Sequence, residues 1–306
     1  MRRIVLACIL ISGCAHQDGN GSVVQSSTPP HTVQHIDPSK STAPEKTYGT
    51  PFQRAVGRLQ ELGYLPLKDA YIHAKGHTEY HPFFMWRVPH ALESTAIKYR
   101  WNWSNPFIRG AIVQFERENG ILKSTGSSEG KMHKNVWSAL FSGKSVRNKY
   151  PWQWVLVNKS DGTKDKESLH IWENDDGKGK FIWSTPVNTG VLHSTPDGTF
   201  IVYQRLPKTT MVGEFPIPVK SSAYKPDSTH YGVFNGSLVR WKHYDDHGIL
   251  WVNYFDDGRG MHYYPRARYG FPQSAGCVEE PYKNSKITYK LLHYGVPVTI
   301  SSSVFP

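Results

Sequence analysis

The sequence predicts a multidomain chain: a small all-α, three-helix N-terminal domain, then a mainly β C-terminal domain, a curled antiparallel sheet of sandwich or barrel type. Three observations carry this expectation. Apolar residues recur at helical spacing between residues 51 and 148. Short β-branched and aromatic runs, separated by Asp-Gly turns, fill residues 149–306. Ahead of both, residues 15–50 are Ser, Thr, Pro, Gly and Gln with almost no aliphatic or aromatic clusters. That composition cannot bury a core and reads as a flexible tether.

The first fourteen residues read as an export signal. Met1-Arg2-Arg3 is a short basic region, and Ile4 to Ile11 is an apolar run too short to span a bilayer. Ile11-Ser12-Gly13-Cys14 has the form of a lipobox, in which small residues precede a cysteine that becomes acylated after cleavage. The alternative is an ordinary signal peptide with an incidental cysteine. Two or three acyl chains on Cys14 would hold the protein stably at a membrane, because one chain alone is marginal. No later stretch has the apolar length of a transmembrane helix, so the expectation is an exported, tethered lipoprotein.

Within residues 51–148, Phe52, Val56, Leu59, Leu62 and Leu65 follow a helical period, and Gly63 marks a stop. Phe107 to Asn119 places Ile108, Ala111, Ile112 and Phe115 on one face, and Asn135 to Phe141 makes a third short helix. Residues 66–106 form an aromatic-rich insertion. It contains His73, His77 and His81 at four-residue spacings, which could bind metal if helical. Gly76 and Pro82 argue against a regular helix, and His243 with His247 is no stronger, so no metal and no cofactor are expected.

In residues 149–306, strands are expected at Trp154–Val157, Ser168–Trp172, Phe181–Trp183 and Thr199–Tyr203. Leu206 to Asp246, richer in Pro, Gly and Tyr, is expected as a loop or hairpin flap over a cleft. Its Tyr224, Tyr231 and Phe234 are candidate substrate contacts, with core packing the default. A helix from about Ser285 to His293 and a closing strand from Val296 to Ser301 complete the chain.

The chemistry concentrates between Met261 and Pro281. Of three cysteines, Cys8 and Cys14 fall to the export segment, which leaves Cys277 without a disulfide partner. An idle exposed thiol would be damaged in an oxidising compartment, so Cys277 is either reactive or a small buried hydrophobe. Ser274, Ala275 and Gly276 precede it, and such a small-residue turn lets backbone N–H groups converge as an oxyanion hole. A thiol needs an imidazole to become a thiolate at neutral pH, and His262 lies upstream at the end of a strand-like run.

His262, a loop, then Ser274-Ala-Gly-Cys277 resembles the signature of the L,D-transpeptidases with a YkuD-like catalytic domain. Thr195-Pro-Asp-Gly-Thr-Phe200 resembles that family's TP-x-G-x-F segment, and Ser184 to Gly190 sits where the family has its V-x-T-G strand end. The resemblance runs from roughly Trp152 to the C-terminus. Ala275 stands where the family usually has His or Arg. Glu279 stands where it has Asn or Arg, a group expected to meet a substrate carboxylate. Val56 to Leu65 and Ala111 to Ile121 resemble the small three-helix peptidoglycan-binding domain; a generic helical spacer is the alternative.

The resemblance implies an enzyme that forms 3-3 cross-links between peptidoglycan stem peptides, through a thioester on Cys277, and that carbapenems acylate. It implies His262 as base, the Tyr263 carbonyl as its orienting partner, and Glu279, Tyr231 and Tyr264 as candidate substrate contacts. The protein would face the cell wall or periplasm. Two alternatives stay open: an L,D-carboxypeptidase with water as acceptor, and a non-catalytic wall-binding lipoprotein. A papain-like protease fits worst, because the His precedes the Cys. The net charge of +11 suits an anionic wall polymer. No nucleic-acid recognition motif is visible.

Overall fold

The computed structural model describes residues 49–302, apart from 75–76, 89, 161–165 and 176–177. The export signal, Cys14 and most of the tether lie outside the described residues.

Helix α1 spans Pro51–Glu61. Its start is set by a capping box: the Gln53 N–H donates to Thr50 Oγ1 at 3.2 Å, and the Thr50 N–H donates to Gln53 Oε1 at 2.9 Å. Pro51 occupies the first turn, where its missing N–H costs nothing. Helix α3, Pro106–Glu118, is capped by the Asn105 side chain, which accepts from the N–H groups of Phe107 and Ile108. Helix α4 covers Lys134–Leu140. All three expected helices are present.

The insertion corrects the all-α expectation for this region. It folds as an antiparallel hairpin, β1 (Leu67–Ala74) and β2 (His77–Trp86), followed by helix α2 (His90–Ala96). His73 therefore falls on β1, and His77 and His81 on β2, rather than on one helical face; their side chains lie outside the described set.

The remaining strands form two five-stranded sheets, and among the described residues neither closes into a barrel. The first, in order β5-β4-β3-β12-β6, comprises Lys178–Pro186, Ser168–Asp175, Trp152–Asn158, Pro297–Ser301 and Gly198–Ile201. The second, β11-β10-β9-β7 with β8 against β9, comprises Val278–Glu280, Arg259–Tyr263, Ser237–Asp256, Gln204–Pro218 and Tyr231–Phe234. Each sheet contains one parallel pair, β3 with β12 and β10 with β11, so both are mixed rather than antiparallel. The parallel partners are far apart in sequence for β3 and β12, a pairing that local turn signals do not reveal. Helix α5, Tyr282–Leu291, begins directly after Pro281, a turn earlier than the sequence suggested.

Every residue of β3 is buried, which is why it reads as a continuous apolar run. Its alternation divides two cores. Trp152, Trp154 and Leu156 pack with Leu59, Phe107, Ile108 and Leu140 of the helices. Val155 and Val157 point the other way, onto Phe255, Met261 and Val278 of the second sheet. Phe107 meets Trp154 edge-on at 4.8 Å, and the fully buried Trp154 indole donates to Thr299 Oγ1 at 2.8 Å. Helices and β region thus share the first of these cores, within one compact unit that takes in all the described residues. No described helix is long and apolar enough to cross a membrane.

Candidate active site

Parity on two parallel strands brings the site together. Strands β10 and β11 pair with Met261 opposite Val278 and His262 opposite Glu279. Met261 and Val278 point into the core, so His262 and Glu279 share the opposite face, and Cys277, two residues before Glu279, joins them. On the other side of β10, the register against β9 shifts between Met261 and Tyr263. Trp251 occupies this bulge at φ +56°, an uncommon conformation for a bulky residue. Bulges of this kind re-aim neighbouring side chains.

His262 is 2 % exposed. Its Nδ1 lies 2.9 Å from the Tyr263 carbonyl oxygen, which can only accept, so Nδ1 carries a proton and Nε2 is the nitrogen left to exchange one. Nε2 is buried without a fully formed hydrogen bond to any described residue. Burial pushes the imidazole pKa down. The charge and hydrogen-bonding capacity of Cys277, the Tyr263 carbonyl and the Glu279 charge outweigh it, raising the pKa to about 8. Cys277 is therefore close enough to act on His262, in a juxtaposition looser than a finished hydrogen bond, as is common without substrate.

The loop before Cys277 is held from two sides. Ser274, almost fully buried, donates through Oγ to the Cys277 carbonyl at 2.6 Å, and its Oγ accepts from the Gly276 N–H at 3.0 Å. The Ser274 N–H donates to the Thr189 carbonyl, and the Ser274 carbonyl accepts from Val191, both at 3.0 Å. Thr195 Oγ1 donates to the Gly276 carbonyl at 2.9 Å and accepts from the Gly190 N–H at 2.7 Å. A side chain at Gly190 would meet Gly276 Cα at 2.8 Å, which explains glycine there. The backbone N–H groups of Ala275 and Cys277 donate to no other described residue. Two amides beside a half-buried thiol are thus free to meet a developing oxyanion.

These groups open onto a cavity of about 350 Å³ whose lining includes His262, Tyr264, Arg266, Cys277 and Glu279. The long arm formed by β7 and β9 closes its far side with Phe215, Lys242 and Asp246, so of the expected loop or hairpin flap it is the paired-strand form that is found. A larger cavity, about 720 Å³, lies between α3 and β6 and contains no cysteine. The chemistry locates the site, not the size.

Of the candidate residues, Ser274, Ala275, Cys277, His262, Glu279 and Tyr264 line the cavity, and Tyr263 supplies its carbonyl. Tyr231 does not. It sits on β8 opposite Arg240, with its ring edge-on to Tyr224.

Sequence reasoning did not find Arg266, Glu167 or Glu280. Arg266 donates two hydrogen bonds to the carboxylate of the candidate Glu279, both at 2.7 Å. Glu167, fully buried, accepts from the Thr189 N–H at 2.5 Å and Thr189 Oγ1 at 2.6 Å, which braces the strand end that holds the loop before Cys277. Glu280 lies on the core side of β11, where Thr288 Oγ1 donates to it. Each pairs across a long sequence separation or beneath the site, where no local motif marks it.

Residues 153–300 match the family model of the YkuD L,D-transpeptidase catalytic domain. No curated protein matches the chain. Similar solved structures include an L,D-transpeptidase from Mycobacterium smegmatis, 16% identical over 49% of this chain and 59% of that one, with a TM-score of 0.33. The catalytic domain of the E. faecium L,D-transpeptidase is 18% identical over 50% of this chain and all of that one, with a TM-score of 0.33. L,D-transpeptidase 3 from Mycobacterium tuberculosis, in complex with a faropenem-derived adduct, is 16% identical over 49% of this chain and 60% of that one, with a TM-score of 0.32. This chain thus spans less than two thirds of either mycobacterial structure. The family match and its extent identify residues 153–300 as an L,D-transpeptidase catalytic domain of the YkuD family, an enzyme domain.

Proposed function

We propose that this protein cross-links peptidoglycan, joining two stem peptides by a 3-3 bond through a thioester on Cys277. The observation that carries the reading is His262: buried, fixed through Nδ1, its Nε2 free of other partners, and within reach of the charge of Cys277, the one free thiol among the described residues.

In this reading Nε2 of His262 takes the Cys277 proton, and the thiolate attacks the carbonyl that precedes the terminal D-residue of a donor stem. The amides of Cys277 and the Ser274–Gly276 turn hold the oxyanion. Collapse breaks the C–N bond, His262 returns the proton to the departing amine, and a thioester remains. An amine from a second stem then loses its proton to His262, attacks the thioester and releases the thiolate. Water in place of that amine would give an L,D-carboxypeptidase from the same acyl-enzyme.

Residues 51–148 are proposed as a wall-binding domain ahead of the catalytic domain at 149–306. Acylated Cys14 and the 15–50 segment are proposed as anchor and tether that let the enzyme reach the wall from a membrane surface.

The test is intact-mass spectrometry of residues 49–306 incubated with a carbapenem. β-Lactam opening adds the whole drug, so the expected product is one adduct of full drug mass on Cys277. It should be absent in Cys277→Ala and slowed in His262→Ala. A folded protein that forms no adduct sinks the nucleophile assignment. Muropeptide products then separate 3-3 cross-linking from trimming.

A further inference from the structure

The Arg266–Glu279 pair is built into the wall of the cavity that holds Cys277. Glu279 is anchored first. Its N–H donates to the Asn188 carbonyl at 2.8 Å, and its carbonyl accepts from Asn188 at 2.9 Å. Its side chain is 5% exposed, so an isolated carboxylate there would lack solvent. Arg266 answers it in bidentate fashion, through Nε and Nη2, each at 2.7 Å. Nη2 also donates to the Gln273 carbonyl at 3.2 Å, and the guanidinium lies 4.6 Å from the Tyr264 ring centre.

These contacts immobilise the guanidinium but do not use all of it. Among the described residues Nη1 has no hydrogen-bond partner, and the Arg266 side chain is 27% exposed. The other ionisable groups on the cavity wall are Lys242 and Asp246 from the arm, with Tyr244, Tyr264 and the dyad itself. Glu279 is spent on Arg266, and Asp246 stands beside Tyr264. The cavity therefore offers a fixed, preoriented cation on the same wall lining as Cys277, a geometry suited to a carboxylate.

We propose that Arg266 is the specificity-determining residue of this site. It binds the free carboxylate of the terminal residue that leaves the donor stem, and Glu279 is the positioning residue that holds it. The inference rests on the proposed acyl transfer, in which that carboxylate lies one residue beyond the attacked carbonyl. The negative charge at position 279 then does not repel the substrate; it orients the cation that attracts it.

The test compares two donor stems that differ only at the C-terminus, one a free acid and one an amide, and measures acyl-enzyme formation by intact mass. The parent protein should prefer the acid on the order of 10- to 100-fold in kcat/KM, the scale of losing one buried charged partner. In Arg266→Gln that preference should collapse towards unity, with Arg266→Lys retaining part of it. Because Arg266→Gln strands a buried carboxylate, Arg266→Gln/Glu279→Gln is the second variant, with the same collapse expected. Alkylation by the neutral reagent iodoacetamide reports whether Cys277 remains reactive in each. The charge-swapped variant Arg266→Glu/Glu279→Arg should regain part of the preference. A parent that acylates both stems equally, or variants that lose both substrates in parallel, overturn the Arg266 assignment alone. A parent that acylates neither stem nor carbapenem overturns the enzymatic reading beneath it.

Discussion

Cys277 controls the proton affinity of His262. Enclosure in the strand pair works to lower the imidazole pKa, yet the cysteine's charge and hydrogen bonding, with help from the Tyr263 carbonyl and Glu279, bring it to about 8. Changing the thiol therefore changes the imidazole.

The first prediction follows from that coupling. In Cys277→Ala the largest raising influence disappears while burial remains, so the His262 titration midpoint should fall below its value in the parent. Imidazole NMR across pH 5–9 reads this directly. In the parent the folded pKa exceeds the ordinary 6.5, so the pairing's contribution to stability is fully present below pH 6.5. It is lost as pH rises through about 8. An alanine variant whose His262 titrates at the parental midpoint would show that Cys277 is not the group acting on it.

Glu280 gives the second prediction. It is fully buried, and burial raises its pKa from 4.5 to about 8 against the opposing influence of Thr288 and His262. The folded protein thus holds a proton there that the unfolded chain releases near pH 4.5. Stability from this group falls as pH rises from 4.5 towards 8. Glu280→Gln keeps an acceptor for Thr288 and removes the ionisation. It should flatten that decline and gain on the order of 2 kcal/mol or more over the parent near pH 9, at about 1.4 kcal/mol per pKa unit. Denaturant melts of both proteins at pH 5 and pH 9 measure it; parallel pH dependence would mean Glu280 is ionised at no cost.

Much of the fold and the centre of the site could be read from residues alone. The helical period of Phe52, Val56 and Leu59, that of Ile108, Ala111, Ile112 and Phe115, and the β-branched run at Trp154–Val157 are local signals, and local signals survive in sequence. Cys277 stood out because a lone thiol after a small-residue turn is chemically uncommon. Arg266 did not: its meaning depends on a carboxylate thirteen residues on, which meets it only after β10 and β11 pair in parallel. The hairpin at 67–86 and the mixed sheets escaped for the same reason, since strand partners are chosen by tertiary packing rather than by propensity. Tyr231, an aromatic candidate in sequence, pairs opposite Arg240 and is not among the residues that line the cavity.

Gly110 supplies the last prediction, at the contact where the helices meet the β region. It lies inside α3, where glycine ordinarily costs a helix about 1 kcal/mol relative to alanine. Propensity alone therefore expects Gly110→Ala to stabilise. The packing says otherwise: a Cβ on Gly110 would come within 2.2 Å of the Gly295 carbonyl oxygen and 3.4 Å of Ile201. The obstacle is backbone, and Gly295 itself sits at φ +79°, reciprocally close to the Gly110 carbonyl, so neither side can yield without moving the entry to β12. Overpacking of this kind costs roughly 1–3 kcal/mol, more where backbone must shift, which outweighs the gain in propensity. Gly110→Ala should lower stability by about 1–3 kcal/mol in denaturant melts, and because β12 pairs with β3, helices and sheets should still unfold together. A variant as stable as the parent would mean that α3 does not dock this closely on the turn before β12.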